Sequence, residues 1–347
     1  MILILINTTA LPTAALLLAL AFPATRPPQS WVEREVIAMG TTLRVGVYAT
    51  SRSTGIAAIE AALHAVQLTD SLLSTWRDDS ELARLNHTTP GQTATVPPLL
   101  AAVLAEVVHW SRATGGAFDP AIGALVDVWD IRGRGRVPSS DELAQARERS
   151  GSRALELSTD GRVWRRTVDG VWLDSGGFGK GAALAAARDA LAAHGIASAL
   201  LDFGGQVLTL GADTAGQAWT VPVAHPSHRL EPVARLALRD RSASTSAQSE
   251  RFVEVQGRRY GHIFDPRTGR PVPAWGSVTV VARDPLLADI LSTALLVLGP
   301  EQALAWAHDR PEIGVLVLED HGGRVRPRWS PGLEAFLVQD STLVRGG

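Results

Sequence analysis

The period of apolar and polar positions changes repeatedly along this chain. Residues 41–49, TTLRVGVYA, alternate apolar and polar side chains and predict a strand with one buried face. Residues 55–76, GIAAIEAALHAVQLTDSLLSTW, instead space their apolar side chains by three and four, which predicts an amphipathic helix. A second helix is predicted over 97–116, PPLLAAVLAEVVHWSRATGG, with Pro near its start and a Gly pair after its end. Ser139 and Glu142 stand three apart at the head of PSSDELAQARERS, a capping-box signature for a short helix. Short strands are predicted in ALELS, RVWRRT and GVWLD (170–174), followed by a helix from about Lys180 to His194. Strands then dominate, in SALLDFG, QVLTLG, AWTVPVAH, RLALRD, RFVEVQGRRYGHIFD and SVTVVARD. Helices in LADILSTALLVLG and EQALAWAHD and a strand in IGVLVLED complete the reading. Hairpins mixed with helices, without regular strand–helix alternation, predict an α+β fold: one large domain of mixed or antiparallel sheets with packed helices.

Composition narrows the partners. A net charge of -2 over 347 residues gives no basic excess for nucleic acid or an anionic membrane surface, so both classes are set aside. The absence of Cys excludes disulfides, thiolate metal sites and a Cys nucleophile, and suits either redox compartment. The first thirty residues, MILILINTTALPTAALLLALAFPATRPPQS, hold an apolar run without an acid that ends in Ala19-Leu20-Ala21 and then turns Pro-rich. They read as a signal peptide or N-terminal membrane anchor with a Pro-rich linker, placing the protein in the periplasm or on the outer face of the cytoplasmic membrane. No Lys or Arg precedes the run, so the basic leader of a signal peptide is missing. Residues 31–347 are taken as the functional domain, and no later segment reads as both long and apolar enough to span a bilayer.

Several segments carry residue types suited to chemistry. In GHIFDPRTGRPV, Gly261 to Val272, Asp-Pro and Thr-Gly bracket a turn, His262 and Asp265 can titrate, and Arg267 can pair with phosphate. The same residues also fit a plain hairpin end capped by Asp265. In LADILSTALLVLG, Asp289 and Thr293 lie four apart on one helical face with Ser292 adjacent. Such hard oxygens suit Mg²⁺, and equally suit an Asp near a helix start with Thr bonding to the preceding turn. In TGGAFDPAIGALVDVW a Gly pair ends a helix and Asp119-Pro120 opens the next segment, while Trp76 in STWRDDSELARLN is either a stacking platform or a half-buried core residue. Two Gly pairs follow strand-like runs, Gly176-Gly177 in VWLDSGGFGKGAALAAARDAL and Gly204-Gly205 in ALLDFGGQVLTLG.

Taken in order, these segments resemble the ApbE family of FAD:protein FMN transferases over about residues 31 to 320. MGTTLRV, STWRDDSELARLN, TGGAFDPAIGALVDVW, LDSGGFGKGAALAAA, LLDFGGQVLTLG, ASTSAQSERFVEVQGRRYGHIFDPRTGRPV and SVTVVARDPLLADILSTALLVLG carry the resemblance. It implies splitting of FAD, attachment of its FMN part to a Thr or Ser hydroxyl of a membrane-associated redox partner, release of AMP, and a requirement for Mg²⁺. It further implies Asp289, Thr293, an oxygen of Ser292 and the carbonyl of Gly179 as metal ligands. Met39, Trp76, Ala117, Phe118, Asp119, Gly176, Lys180 and Ile263 match flavin-nucleotide contacts. His262 would take the proton of the acceptor hydroxyl, as a neutral imidazole can, and Asp265 would orient it. Gly176-Gly177 would belong to the nucleotide site and Gly204-Gly205 to a turn beside it.

The sequence departs from the family pattern at four places. Ala182 and Ala185 replace a Tyr and an Asp after Lys-Gly, Ala247 replaces a Gly after Thr-Ser, and Trp76 stands where Tyr is common. Two alternatives to transfer therefore stay open: a non-catalytic flavin-binding maturation factor, or a pyrophosphatase that hydrolyses FAD to AMP and FMN.

Overall fold

A computed structural model of the protein describes residues 30–249 and 252–338; the apolar N-terminal segment read as a signal or anchor lies outside the described residues. Eight strands form one sheet in the order Ser30–Ala38, Thr41–Ala49, Ala199–Phe203, Gln206–Leu210, Arg241–Ala247, Gly276–Ala282, Gly314–Asp320 and Val325–Trp329. Every neighbouring pair is antiparallel. The α+β expectation therefore holds, with the main sheet wholly antiparallel.

Helices Arg52–Leu73, Gly179–Ala193 and Pro285–Leu298 cover one face. Val45, Val47 and Leu201 of the sheet meet Ile59, Ala62, Leu184 and Ala187, while Val278 and Val280 meet Ala288, Leu291 and Leu295. Fully burying each of the larger aliphatic side chains contributes about 1.5–3 kcal/mol, so this layer fixes where the helices lie. The other face is closed by the hairpin Trp219–Ala224/Pro232–Leu238 and the 3₁₀ turn Pro331–Phe336, which pack on Ala243, Val281, Leu316 and Leu318.

Most predicted elements are present, and the exceptions have physical causes. Residues 170–174 form no strand: Val171 and Leu173 are buried, but their backbone groups bond to side chains instead of a ladder. Asn86 grips Leu173 through both its N–H and its carbonyl, and Arg166 donates to the Val171 carbonyl. Strand Arg241–Ala247 carries no apolar alternation because Ser242, Ser244 and Ser246 occupy its helix-facing side. Helix Arg52–Leu73 is long and apolar enough by length and composition to span a bilayer, contrary to the sequence reading; its Ala58, Ile59, Ala62 and Val66 are buried against the sheet.

Helices Gly179–Ala193 and Pro285–Leu298 approach closely because Gly181 lacks a side chain. A Cβ there would stand 2.5 Å from the Pro285 carbonyl oxygen and 2.8 Å from the Asp289 Cβ. Helix Ser140–Glu148 supports the 265–269 turn from outside: a Cβ on Gly269, at φ 73°, would stand 2.9 Å from both Leu143 and Arg147 side chains. Its capping box forms with both arms, Ser139 Oγ accepting from the Glu142 N–H and Glu142 accepting from the Ser139 N–H. That backbone N–H, with the Arg136 guanidinium, draws the Glu142 carboxyl down to about 2.

Two outcomes follow. Gly181→Ala forces the two helices apart and should destabilise the fold by about 1–3 kcal/mol, read as a lowered urea midpoint with unchanged slope. A carboxyl depressed in the folded state stabilises it above the unfolded value and loses that contribution as pH falls. Glu142→Gln should therefore lower Tm at pH 7, and the difference from wild type should shrink as pH falls from 4.5 towards 2; a difference independent of pH would contradict the assignment.

Candidate active site

The helix contact at Gly181 places a buried carboxylate at the centre of a polar cluster. Asp289, 3% exposed, lies in the second turn of the Pro285–Leu298 helix, whose start is fixed by Pro285 and by Asp284 accepting from the Leu286 N–H. Its Oδ2 accepts from the Gly181 backbone N–H at 2.9 Å. Its Oδ1 lies 3.3 Å from both Lys180 Nζ and Ser244 Oγ. Ser292 Oγ donates to the Asp289 carbonyl at 2.9 Å and lies 2.8 Å from Ser246 Oγ, which in turn lies 3.4 Å from Thr293 Oγ1. One carboxylate, one ammonium and four hydroxyls thus share a site built from a strand and two helices.

The glycine turn before Lys180 closes this cluster. A Cβ on Gly177 would lie 3.4 Å from Thr293 Oγ1 and 3.2 Å from the Phe118 ring, so both press on its bare Cα. A Cβ on Gly179 would lie 3.1 Å from the Met39 methyl group. Met39 is held there by a turn in which it and Gly40 both take left-handed backbone, φ 45° and 75°. Gly176 donates its N–H to Asp174 at 2.7 Å. Met39, Phe118, Gly176, Gly179, Lys180, Asp289, Ser292 and Thr293 are therefore brought together. Gly204-Gly205, at φ 58° and 89°, forms the hairpin turn between strands Ala199–Phe203 and Gln206–Leu210.

The remaining predicted residues occupy supporting positions. Asp119 accepts from Ser111 Oγ and from the Ala121 and Ser152 backbone N–H groups, so its carboxylate pins the loop that carries the buried Ala117 and Phe118. Ile263 is buried; its N–H and carbonyl are both gripped by the side chain of Gln248, just beyond strand Arg241–Ala247. That grip fixes His262, the preceding, half-buried residue, relative to the serine-bearing strand. Asp265 holds Arg267, which donates from its backbone N, Nε and Nη2. Trp76 is 68% exposed and is tied to the glycine turn through Arg132 and Asp174.

Ser244, Ser246 and Gln248 were missed in the sequence as site residues. The period-two serines of RSASTSAQ were the available signal, since hydroxyls on one face of a strand need partners when that face is covered. The departures from the family pattern lie elsewhere. Ala182 packs with Phe178, Leu286 and Ile290, and Ala182 and Ala185 together border an apolar cavity of ≈ 110 Å³ with Leu73, Leu99, Leu100 and Val103. Ala247 is buried at the strand end opposite Ser277. None of the three takes an oxygen away from the Asp289 cluster.

The donor chemistry fits Mg²⁺. No group of three or more His, Cys, Asp or Glu side chains able to hold a metal exists among the described residues. One carboxylate among hydroxyls is nevertheless the sparse protein contribution that Mg²⁺ accepts when waters and phosphates complete its shell. Lys180 lies against the Asp289 oxygen that a metal ion would share.

Comparison with known proteins identifies the family. The sequence matches the ApbE family over residues 39–317. The FAD:protein FMN transferase of Treponema pallidum is 35% identical, the match covering 82% of this chain and 83% of the relative. That of Klebsiella pneumoniae is 28% identical over 86% and 87% of the two chains. Among solved structures, the apo flavinyl transferase ApbE of Pseudomonas stutzeri superposes with a TM-score of 0.78 at 28% identity, covering 88% of this chain and 96% of that one. The ApbE protein of Thermotoga maritima gives 0.81 at 26% identity, covering 89% and 100%. The motifs, the fold and these matches together show that the chain belongs to the ApbE family.

Proposed function

We propose that the protein transfers FMN from FAD to a Thr or Ser hydroxyl of an acceptor protein in a membrane-associated redox complex, outside the cytoplasm, with Mg²⁺ required and AMP released. The observation that carries this is the Asp289 cluster: a single buried carboxylate, Lys180 and a set of hydroxyls gathered against a glycine turn. The names of the similar proteins support FAD as donor and a protein as acceptor.

In this reading His262 accepts the proton of the acceptor hydroxyl as its oxygen attacks the FMN-side phosphorus of FAD. The bond from that phosphorus to the bridging oxygen breaks, and AMP departs with the oxygen and its electron pair. Lys180 faces the pyrophosphate as a point charge, and the bare glycine turn lets backbone approach it closely. Asp289 and Thr293, with an oxygen of Ser292 and the Gly179 carbonyl, would hold Mg²⁺. When bound, that ion would neutralise charge developing on the phosphate oxygens. Because the alanine departures leave the cluster's oxygens in place, they give no structural ground for loss of turnover.

Purified protein incubated with FAD, Mg²⁺ and an acceptor domain of proven competence should yield an acceptor whose flavin fluorescence survives denaturing electrophoresis. AMP should appear in equal amount. AMP without acceptor would identify a pyrophosphatase, and FAD binding without AMP a maturation factor. His262→Ala should lower kcat by about 10²–10⁴-fold while leaving FAD affinity nearly unchanged. Asp289→Ala should abolish labelling and also lower Tm, because it strips partners from Gly181 and Ser244 as well. Labelling that persists in Asp289→Ala at ordinary Mg²⁺ would overturn the metal assignment.

A further inference from the structure

We infer that Arg132 is a positioning residue for flavin binding, holding Trp76 as a rigid outer platform on which the flat ring of the substrate stacks; this rests on the reading of FAD as substrate. The Arg132 guanidinium carbon lies 4.5 Å from the centre of the Trp76 ring and 5.0 Å from that of Trp172. Trp172 is itself fixed. Its Nε1 donates to Asp127 at 2.9 Å, and its ring lies so close to Gly123 that a Cβ there would stand 1.9 Å from it. The cation therefore rests on an anchored indole and carries a second, largely exposed one.

Hydrogen bonds hold the guanidinium in this place. Nη1 donates to the Thr75 carbonyl at 2.6 Å, and Nη2 to Thr75 Oγ1 at 2.7 Å and to Asp174. Asp174 uses its other oxygen to accept from the Gly176 N–H at 2.7 Å, and its own N–H donates to the Pro120 carbonyl. A single planar group thus ties the residue preceding Trp76 to the glycine turn and, through Asp174, to the loop beginning at Asp119. Arg suits this role because its fork serves several acceptors while its faces stack on rings.

A Trp left 68% exposed has given up most of its hydrophobic gain, yet this one is held by a half-buried guanidinium stacked against it. A pre-oriented indole lowers the ordering cost of binding a planar ligand. The elements that hold it are the same ones that position the phosphate-facing turn, so ring stacking and pyrophosphate placement share one rigid support.

The test is a double-mutant cycle on the full chain, with FAD as the probe. Wild type, Arg132→Met, Trp76→Ala and the double variant are compared by calorimetric FAD affinity, quenching of flavin fluorescence, and KM against kcat for FAD. Arg132→Met should weaken FAD binding on the order of tenfold and reduce the quenching, with kcat within about twofold. In the Trp76→Ala background the same change should cost clearly less, since only the link through Asp174 to the glycine turn is left to lose. Arg132→Lys, which keeps the charge without the fork, should fall between wild type and Arg132→Met and serves if the latter fails to fold. An equal loss of affinity in both backgrounds, or affinity and quenching unchanged in Arg132→Met while wild type binds FAD, would overturn the inference alone. A wild type that binds no FAD would overturn the functional reading and the inference with it.

Discussion

The site depends on one buried carboxylate being shared. Asp289 faces the Gly181 N–H, the Lys180 ammonium and the Ser244 hydroxyl at once, so it joins two helices and a strand at a single point. A carboxylate removed from water this far needs such partners, because an unpaired buried charge costs several kcal/mol. The close approach at Gly181 is what brings the backbone N–H within 2.9 Å, and a side chain at that position would remove it. Helix packing and site geometry are therefore the same constraint.

That sharing also explains why the serine face of strand Arg241–Ala247 is tolerated in the middle of the sheet. Ser244 and Ser246 are buried, and their hydroxyls are satisfied by Asp289, Ser292 and Thr293 across the interface. An apolar strand would pack as well against the helix but would leave Asp289 short of a donor. The opposite face of the same strand is ordinary, with Ala243 in the apolar layer and Thr245 paired with Thr279 at 2.8 Å. Polarity is concentrated where the two helices present oxygen atoms.

The elements most legible in the sequence were those with apolar faces of their own, such as strand Thr41–Ala49 and helices Arg52–Leu73 and Pro98–Ala113. Elements whose burial depends on partners distant in sequence were hidden. Residues 170–174 look like a strand by composition, but Asn86, Pro120 and Arg166 take up their backbone groups. Strand Arg241–Ala247 lacks apolar alternation because its partners are a carboxylate and hydroxyls on a helix about 45 residues away, as the Ser244–Asp289 and Ser246–Ser292 contacts show. At the site, local patterns around Asp289 with Thr293 and around the glycine turn with Lys180 equally fit a helix start and an ordinary turn, and it was the family resemblance that implied their roles. Arg132 stayed invisible, since nothing local in DIRGRG distinguishes the arginine that reaches Thr75 and Asp174.

If Asp289 is both the fastening point of the fold and a metal ligand, ligand binding must redistribute its contacts. The Gly181 N–H can keep Oδ2, whereas Lys180 must yield Oδ1 and turn to the phosphates. A crystal structure of the protein soaked with FAD and Mg²⁺ tests this most directly. The account predicts an octahedral ion about 2.0–2.1 Å from oxygens of Asp289 and Thr293, with the Lys180 ammonium moved off the carboxylate onto the pyrophosphate. A Lys180–Asp289 pair left intact beside bound FAD, with the metal elsewhere or absent at saturating Mg²⁺, would contradict it.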